Sequence, residues 1–226
     1  MLQSLLGCCT VCKSARAPPL LRRCCLASIQ PAPCLQENLI AKVRGLSEDG
    51  ITALHWCGSY RLPAATATGS VQRELCLVHS CIGVGEVAVS DHRGSAPTPQ
   101  DLLQLALEAR VGGMLSGKAG IVHCHMGPGR EGMQPLRDAL AASCGDLPIA
   151  AFHPTHMARS RQLVEEGAAW LADGGTLDLT CGCAARCWWA AVAACPAAVA
   201  IPDTWPPCQP CRLQLARVSS SSKAVP

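Results

Sequence analysis

Five of the seven histidines, His92, His123, His125, His153 and His156, fall in or just before short polar clusters that close apolar runs. The clusters are Trp56–Arg61, Ser90–Arg93, His123–Gly127 and Pro154–Arg159. A lone histidine in such a place is more often a satisfied core or loop residue. Several in succession, with a carboxylate nearby, read as ligands for a divalent metal. The carboxylate is Glu86, set inside the apolar run GVGEVAV. There it must point inward or into helix packing, and a buried carboxylate costs several kcal/mol unless paired or coordinated. A metal ion resolves that cost, and so does an ion pair with an arginine. The residues alone leave both open.

The elements that must position these residues alternate between two hydrophobic periods. Helical spacing covers Glu37–Leu46, Ser70–His79, Pro99–Ala109, Glu131–Ala142 and Arg159–Leu171. Short apolar runs that read as strands lie between them, at Ile51–Cys57, Cys81–Val89, Ile121–Cys124 and Ile149–Phe152. Gly174–Gly175 ends the last helix, and Thr176–Thr180 reads as a fifth strand. Strands separated by helices in this rhythm make a parallel sheet, whose chemistry sits at the C-terminal strand ends. A doubly wound open sheet and a (β/α)8 barrel both fit. A barrel needs eight units and about 250 residues, so the expectation is an α/β fold of about five βα units, a partial TIM-type barrel.

The chain has 226 residues, 49% hydrophobic and 15% charged, with a net charge of +3. A packed core is expected, and a nucleic-acid binder is not, because there is no basic run. The 17 cysteines are unevenly placed. Residues 1–36 hold six, with four basic residues and no acid; residues 181–226 hold six, with four basic residues and one acid. Residues 37–180 hold five, with eleven basic and fifteen acidic residues. The expected organisation is an irregular or transit-like segment over 1–36, the α/β unit over 37–180, and an irregular Cys/Ala/Pro-rich tail over 181–226. Crowding of cysteines into the ends argues against a disulfide scaffold and for a reducing compartment. Cytoplasmic placement follows, or an organelle if residues 1–36 act as a transit peptide. The uncharged run Cys187–Pro202 has 16 residues and is broken by Pro196, short of the ~20 needed to span a membrane. Cys181, Cys183, Cys187, Cys208 and Cys211 contain a single CxxC, a weak zinc pattern.

SDHR at Ser90–Arg93, ARVGGMLSGKAG at Ala109–Gly120, HMG at His125–Gly127 and PTHMAR at Pro154–Arg159 closely resemble isoaspartyl (β-aspartyl) dipeptidases of the amidohydrolase superfamily. GSYRLP at Gly58–Pro63 and GGTLDLT at Gly174–Thr180 extend the resemblance over residues 37–180. It implies a zinc-dependent hydrolase in which activated water cleaves the β-linked amide of a small isoaspartyl dipeptide, with a homo-oligomer as the family's usual state. It implies metal ligation by His125, His156 and Glu86, the last at the family's carboxylated lysine. Arg93 and Arg159 match arginines that grip substrate carboxylates, and Tyr60 a tyrosine that polarises the scissile carbonyl. His123 falls on a position that is apolar in the family. The first-strand His-x-His has no counterpart before residue 37, and Lys223 stands where the family has a catalytic aspartate. The expectation is therefore at most about one zinc, against two in the family, and impaired hydrolysis. The alternative is a catalytically inactive barrel remnant or partner-binding fragment from an incomplete gene model. A third reading takes Gly127, Gly129 and Gly132 as a GxGxxG nucleotide cradle, although no acidic residue follows at the distance that motif requires.

Overall fold

The computed structural model describes residues 23–26 and 36–179. The sequence readings that fall on residues 1–22, 27–35 and 180–226, including the cysteine-rich tail and Lys223, lie outside the described residues. Five strands and five helices alternate: β1 (Arg23–Leu26), α1 (Gln36–Glu48), β2 (Thr52–Cys57), α2 (Val71–Leu77), β3 (Cys81–Val89), α3 (Pro99–Ser116), β4 (Ile121–Met126), α4 (Gln134–Ala142), β5 (Phe152–Thr155) and α5 (Arg161–Ala172). All neighbouring strands pair in parallel, in the order β1-β2-β3-β4-β5. A doubly wound sheet reverses its order at a switch point, whereas sequential order with right-handed crossovers keeps every helix on one face. This is an α/β fold compatible with part of a (β/α)8 barrel wall.

Local chemistry sets the helix ends. Ser70 caps α2 by accepting from Arg73 N–H, and Ser160 caps α5 by accepting from Leu163 N–H. Thr98 and Asp101 form a reciprocal capping box at the start of α3. That helix runs seven residues past its expected end at Ala109, through Gly112–Gly113, to a left-handed cap at Gly117. The two glycines allow contact rather than breaking the helix, with Gly112 against Leu75 and Gly113 against the Gly120 backbone.

The main core lies between the sheet and its helices. Val84, Val87, Val89, Val122, Cys124, Met126 and Phe152 meet Leu75, Leu102, Leu103, Ala106, Leu136, Leu163 and Trp170. The opposite face carries Trp56, His123, His125 and His153. Of the five cysteines in residues 36–179, all free, Cys57, Cys81 and Cys124 are buried as small hydrophobes. Cys76 and Cys144 are exposed, contrary to the apolar setting their sequence neighbours suggest.

The strand count of five is met by a different set. β1 lies in the stretch read as irregular, because four residues suffice to extend the ladder beside β2. Ile149–Ala151 is one turn of 3-10 helix, closed by Ala151 N–H donating to Pro148 O at 2.9 Å, so the strand begins at Phe152. Residues 176–179 are extended beside β5 without joining the ladder. Asp178 N–H donates to Pro154 O at 3.0 Å, and Met157 N–H to Asp178 O at 3.3 Å.

The irregularity that matters for the site is in β3. Gly85 pairs with His123 and Val87 with Cys124, leaving Glu86 as the extra residue of a bulge. Gly85 has φ +154°, and a Cβ there would lie 2.5 Å from the His123 carbonyl oxygen. Only glycine fits. Gly85→Ala is expected to destabilise the chain by about 2 kcal/mol or more, read as a lower urea midpoint.

Candidate metal centre

The bulge decides which way Glu86 points. In an unbroken strand, residue 86 would pair with Cys124 and share its helix-facing side. The extra residue shifts the parity, so Val84 and Val87 both face the helices while Glu86 turns to the face of His125. Its Oε1 lies 2.7 Å from His125 Nδ1 and 2.8 Å from His156 Nε2. All three residues are buried, and one ligand atom from each can be chosen within 4.8 Å of the others. His156 follows β5 in the left-handed region, φ +65°, a costly conformation for a non-glycine residue that aims its ring back at Glu86.

A second tier surrounds His125. Tyr60 Oη is 2.7 Å from His125 Nδ1, with the two rings tilted at 4.4 Å. On the other side, Nε2 is 2.9 Å from Arg93 Nη2, 2.9 Å from Arg159 Nη1 and 3.1 Å from Asp91 Oδ2. Asp91 holds Arg93 through two bonds, Nε to Oδ1 at 3.0 Å and Nη2 to Oδ2 at 2.6 Å. Arg159 also donates to Met126 O at 2.7 Å. Tyr60, Glu86, Arg93, His125, His156 and Arg159, all singled out from sequence, therefore converge on one spot. The arginine alternative for Glu86 does not hold: its partners are imidazoles, and Arg93 pairs with Asp91 instead.

The electrostatics follow from this packing. Burial would raise the Glu86 carboxyl, but the hydrogen bonds from His125 and His156 outweigh it and hold it at about 2. The Arg93 guanidinium holds Asp91 well below the usual carboxylate range, against burial. Burial, opposed by Glu86, lowers His125, which suits a neutral ring donating Nδ1–H to Glu86 and accepting guanidinium N–H at Nε2. Burial and the nearby Glu86 charge push the Tyr60 phenol up, so it stays a hydroxyl donor.

Asp91, fully buried at its side chain, is the member of this cluster that the sequence reading named only as part of SDHR. Its signal was available: an acid two residues before an arginine, just after a buried strand, has a short path to a bidentate pair. A second group joins two of the candidate ligand histidines to an acid that the sequence places only in a strand. His123, His153 and Asp178 also offer ligand atoms within 4.8 Å of one another. His153 and Asp178 come together only because 176–179 returns beside β5.

The glycine loop after β4 is not a phosphate cradle. A Cβ at Gly127 or Gly129 would lie 2.3 or 2.5 Å from Ser90 O, so these glycines let two loops touch. At Gly132 the space is filled by the Glu166 carboxylate, which accepts from Met133 N–H at 2.8 Å at the start of α4. An anion is already there. Among the described residues, no helix is long and apolar enough to cross a membrane.

The sheet order and the carboxylate–imidazole cluster define a parallel α/β protein with a candidate metal centre at its C-terminal strand edge. No family model matches the chain. Two solved structures of the beta-aspartyl dipeptidase of the thermophilic, keratin-degrading Fervidobacterium islandicum AW-1 do match, both at 44% identity over 70% of this chain. The TM-scores are 0.65 and 0.64, the second structure being a complex with the dipeptide beta-Asp-Leu. At that identity the matched region is similar to the beta-aspartyl dipeptidases in sequence as well as in fold. The match spans 42% of the length of those chains.

The depressed Glu86 value has a consequence for the metal-free chain. The folded state binds fewer protons than the unfolded one, so stability rises with pH across this interval. The contribution is complete above the ordinary carboxyl value of 4.5 and is lost as pH falls through about 2. Within the acid loss of stability seen by urea unfolding, to which the depressed carboxyls of Asp91 and Asp178 also contribute, the Glu86 share should be roughly 3 kcal/mol, and Glu86→Gln should reduce the loss by about that share.

Proposed function

We propose that this chain carries the substrate-gripping and metal-binding half of a β-aspartyl dipeptide hydrolase, with Glu86, His125 and His156 as ligands of one zinc ion. The convergence of these three buried side chains, in a region 44% identical to beta-aspartyl dipeptidases, carries the reading. The donor set fits zinc: one carboxylate oxygen and two imidazole nitrogens, with room in the coordination sphere for a fourth ligand. Bound there, the ion supplies Lewis acidity and lowers the pKa of water.

The protein's own groups bind and orient the dipeptide. Arg159, one-third exposed, and Arg93, half-exposed, both reach the site at the Nε2 edge of His125. Arg159 brings a planar fork suited to a carboxylate, while Arg93, its Nε–Nη2 edge held by Asp91, brings its charge and Nη1. An isoaspartyl dipeptide carries two carboxylates, the free α-carboxylate of the aspartyl residue and the C-terminal one. Asp91 fixes Arg93 in advance, so less side-chain freedom is lost on binding. Tyr60, kept protonated by burial, donates its hydroxyl to the scissile carbonyl oxygen as negative charge develops there.

Proton transfer is the weak step. A general acid/base works best with a pKa near the operating pH. Glu86 titrates at about 2, Asp91 is locked to Arg93 and lower still, and Tyr60 lies well above neutrality. None of these three described groups is set for that role, which supports as second reading a chain that binds metal and dipeptide without hydrolysing it efficiently. Cytoplasmic placement and a homo-oligomer remain part of the proposal.

With zinc supplied, hydrolysis of β-Asp-Leu followed by leucine release should be detectable and slow. Glu86→Gln and His156→Ala should each remove the zinc of this site and the residual activity with it. Arg159→Lys should raise KM about tenfold, and Tyr60→Phe should lower kcat about a hundredfold. Undiminished metal content in both ligand variants would show the ligand assignment to be wrong.

A further inference from the structure

We propose that His123, His153 and Asp178 form a second metal site, for one zinc ion or a similar transition-metal dication, one rung deeper on the same sheet face. His123 on β4 and His153 on β5 are register partners on adjacent parallel strands, which sets their rings side by side at 5.7 Å between centroids. Asp178 joins them from the extended segment beside β5. Its Oδ2 lies 3.8 Å from His123 Nε2 and 3.7 Å from His153 Nε2. These separations are too long for hydrogen bonds. They lie near the roughly 3.4 Å expected between two donors on one tetrahedral zinc.

The outer contacts are those of a built metal site. His153 Nδ1 is 2.8 Å from Thr176 Oγ1, and donation there leaves the Nε2 lone pair facing Asp178. Thr155 Oγ1 donates to Asp178 Oδ1, orienting the carboxylate and leaving Oδ2 toward the imidazoles. Trp56 stacks on His123 at 5.0 Å with 22° between ring planes, fixing that ring too. Among the described residues, His123 Nδ1 is buried without a hydrogen-bond partner. The three side chains are 14%, 20% and 28% exposed, so an ion can reach them from solvent.

Two imidazoles and one carboxylate suit zinc or cobalt rather than magnesium or calcium, which prefer all-oxygen shells. The group shares no ligand with the Glu86 cluster. His123 and His125 are two residues apart on one strand, about 7 Å, so the site neither needs nor repeats the one proposed for hydrolysis.

The test uses the full chain, stripped with chelator and titrated with Zn2+ by calorimetry and with Co2+ by visible absorbance. The Glu86→Gln chain should still bind one ion at this site and give d–d bands without a thiolate charge-transfer band. Adding His153→Ala to that background should remove one equivalent of zinc and the bands; Asp178→Asn should weaken binding at least about tenfold. In the unaltered chain, Zn2+ and not Mg2+ should protect His123 and His153 from diethylpyrocarbonate, read residue by residue in peptides. This measurement needs no variant to fold. Equal zinc content in Glu86→Gln and Glu86→Gln/His153→Ala would overturn the proposal and leave Asp178 as an ion-pair partner of protonated histidines. So would bands that arise only from thiolates, or histidines that zinc does not protect. Dipeptide hydrolysis enters none of these readings, so the loss of one proposal leaves the other standing.

Discussion

The structure turns on one buried carboxylate. Glu86 sits in the middle of a parallel sheet, where an unpaired charge is costly. Its two imidazole partners come from the ends of β4 and β5, so satisfying it ties three consecutive strands together. This requirement explains three local features at once. The bulge in β3 turns the side chain to the correct face, Gly85 permits the bulge, and His156 accepts a left-handed backbone to reach it. Relaxing any one of them would cost the charge at least one of its partners. A divalent ion placed among the same three side chains would replace hydrogen bonds with coordination and leave the architecture unchanged.

Around that centre the charges are arranged in pairs. Asp91 holds Arg93, Arg93 and Arg159 flank the far side of His125, and Asp178 faces His123 and His153. Carboxylates held this way stay ionised far below neutral pH, which makes them good ligands and anchors but poor proton carriers. The same interactions that stabilise the charged sheet face therefore oppose proton movement there, a tension between fixed charge and acid–base chemistry. The helix-facing side of the sheet shows no such tension. Its valines, leucines and buried cysteines supply apolar contact, and the helices are held by caps and close glycine approaches.

The α/β rhythm, helix starts expected at Ser70, Pro99 and Arg159 and found within two residues of them, and most residues of the Glu86 cluster were legible in the sequence. Caps and hydrophobic periods act over a few residues, and polar residues closing apolar runs stand out. Other features were not legible. A four-residue strand such as β1 lacks enough length to show a period, and its pairing comes from β2. Ile149–Ala151 has a strand's composition, yet the turn that Pro148 closes makes it 3-10. His123 was a candidate ligand without an identified group, because its neighbours His153 and Asp178 lie 30 and 55 residues away in the chain.

The sequence by itself determined which residues could do chemistry and on which kind of element each would sit, since both depend on side-chain type and short-range spacing. Only the tertiary structure decided between a doubly wound sheet and sequential order, because the periods are the same in both. It alone turned Glu86 toward His125, since a bulge changes strand parity without changing composition. It also divided the histidines into two groups, because register between β4 and β5 is a relation between strands that neither strand contains alone.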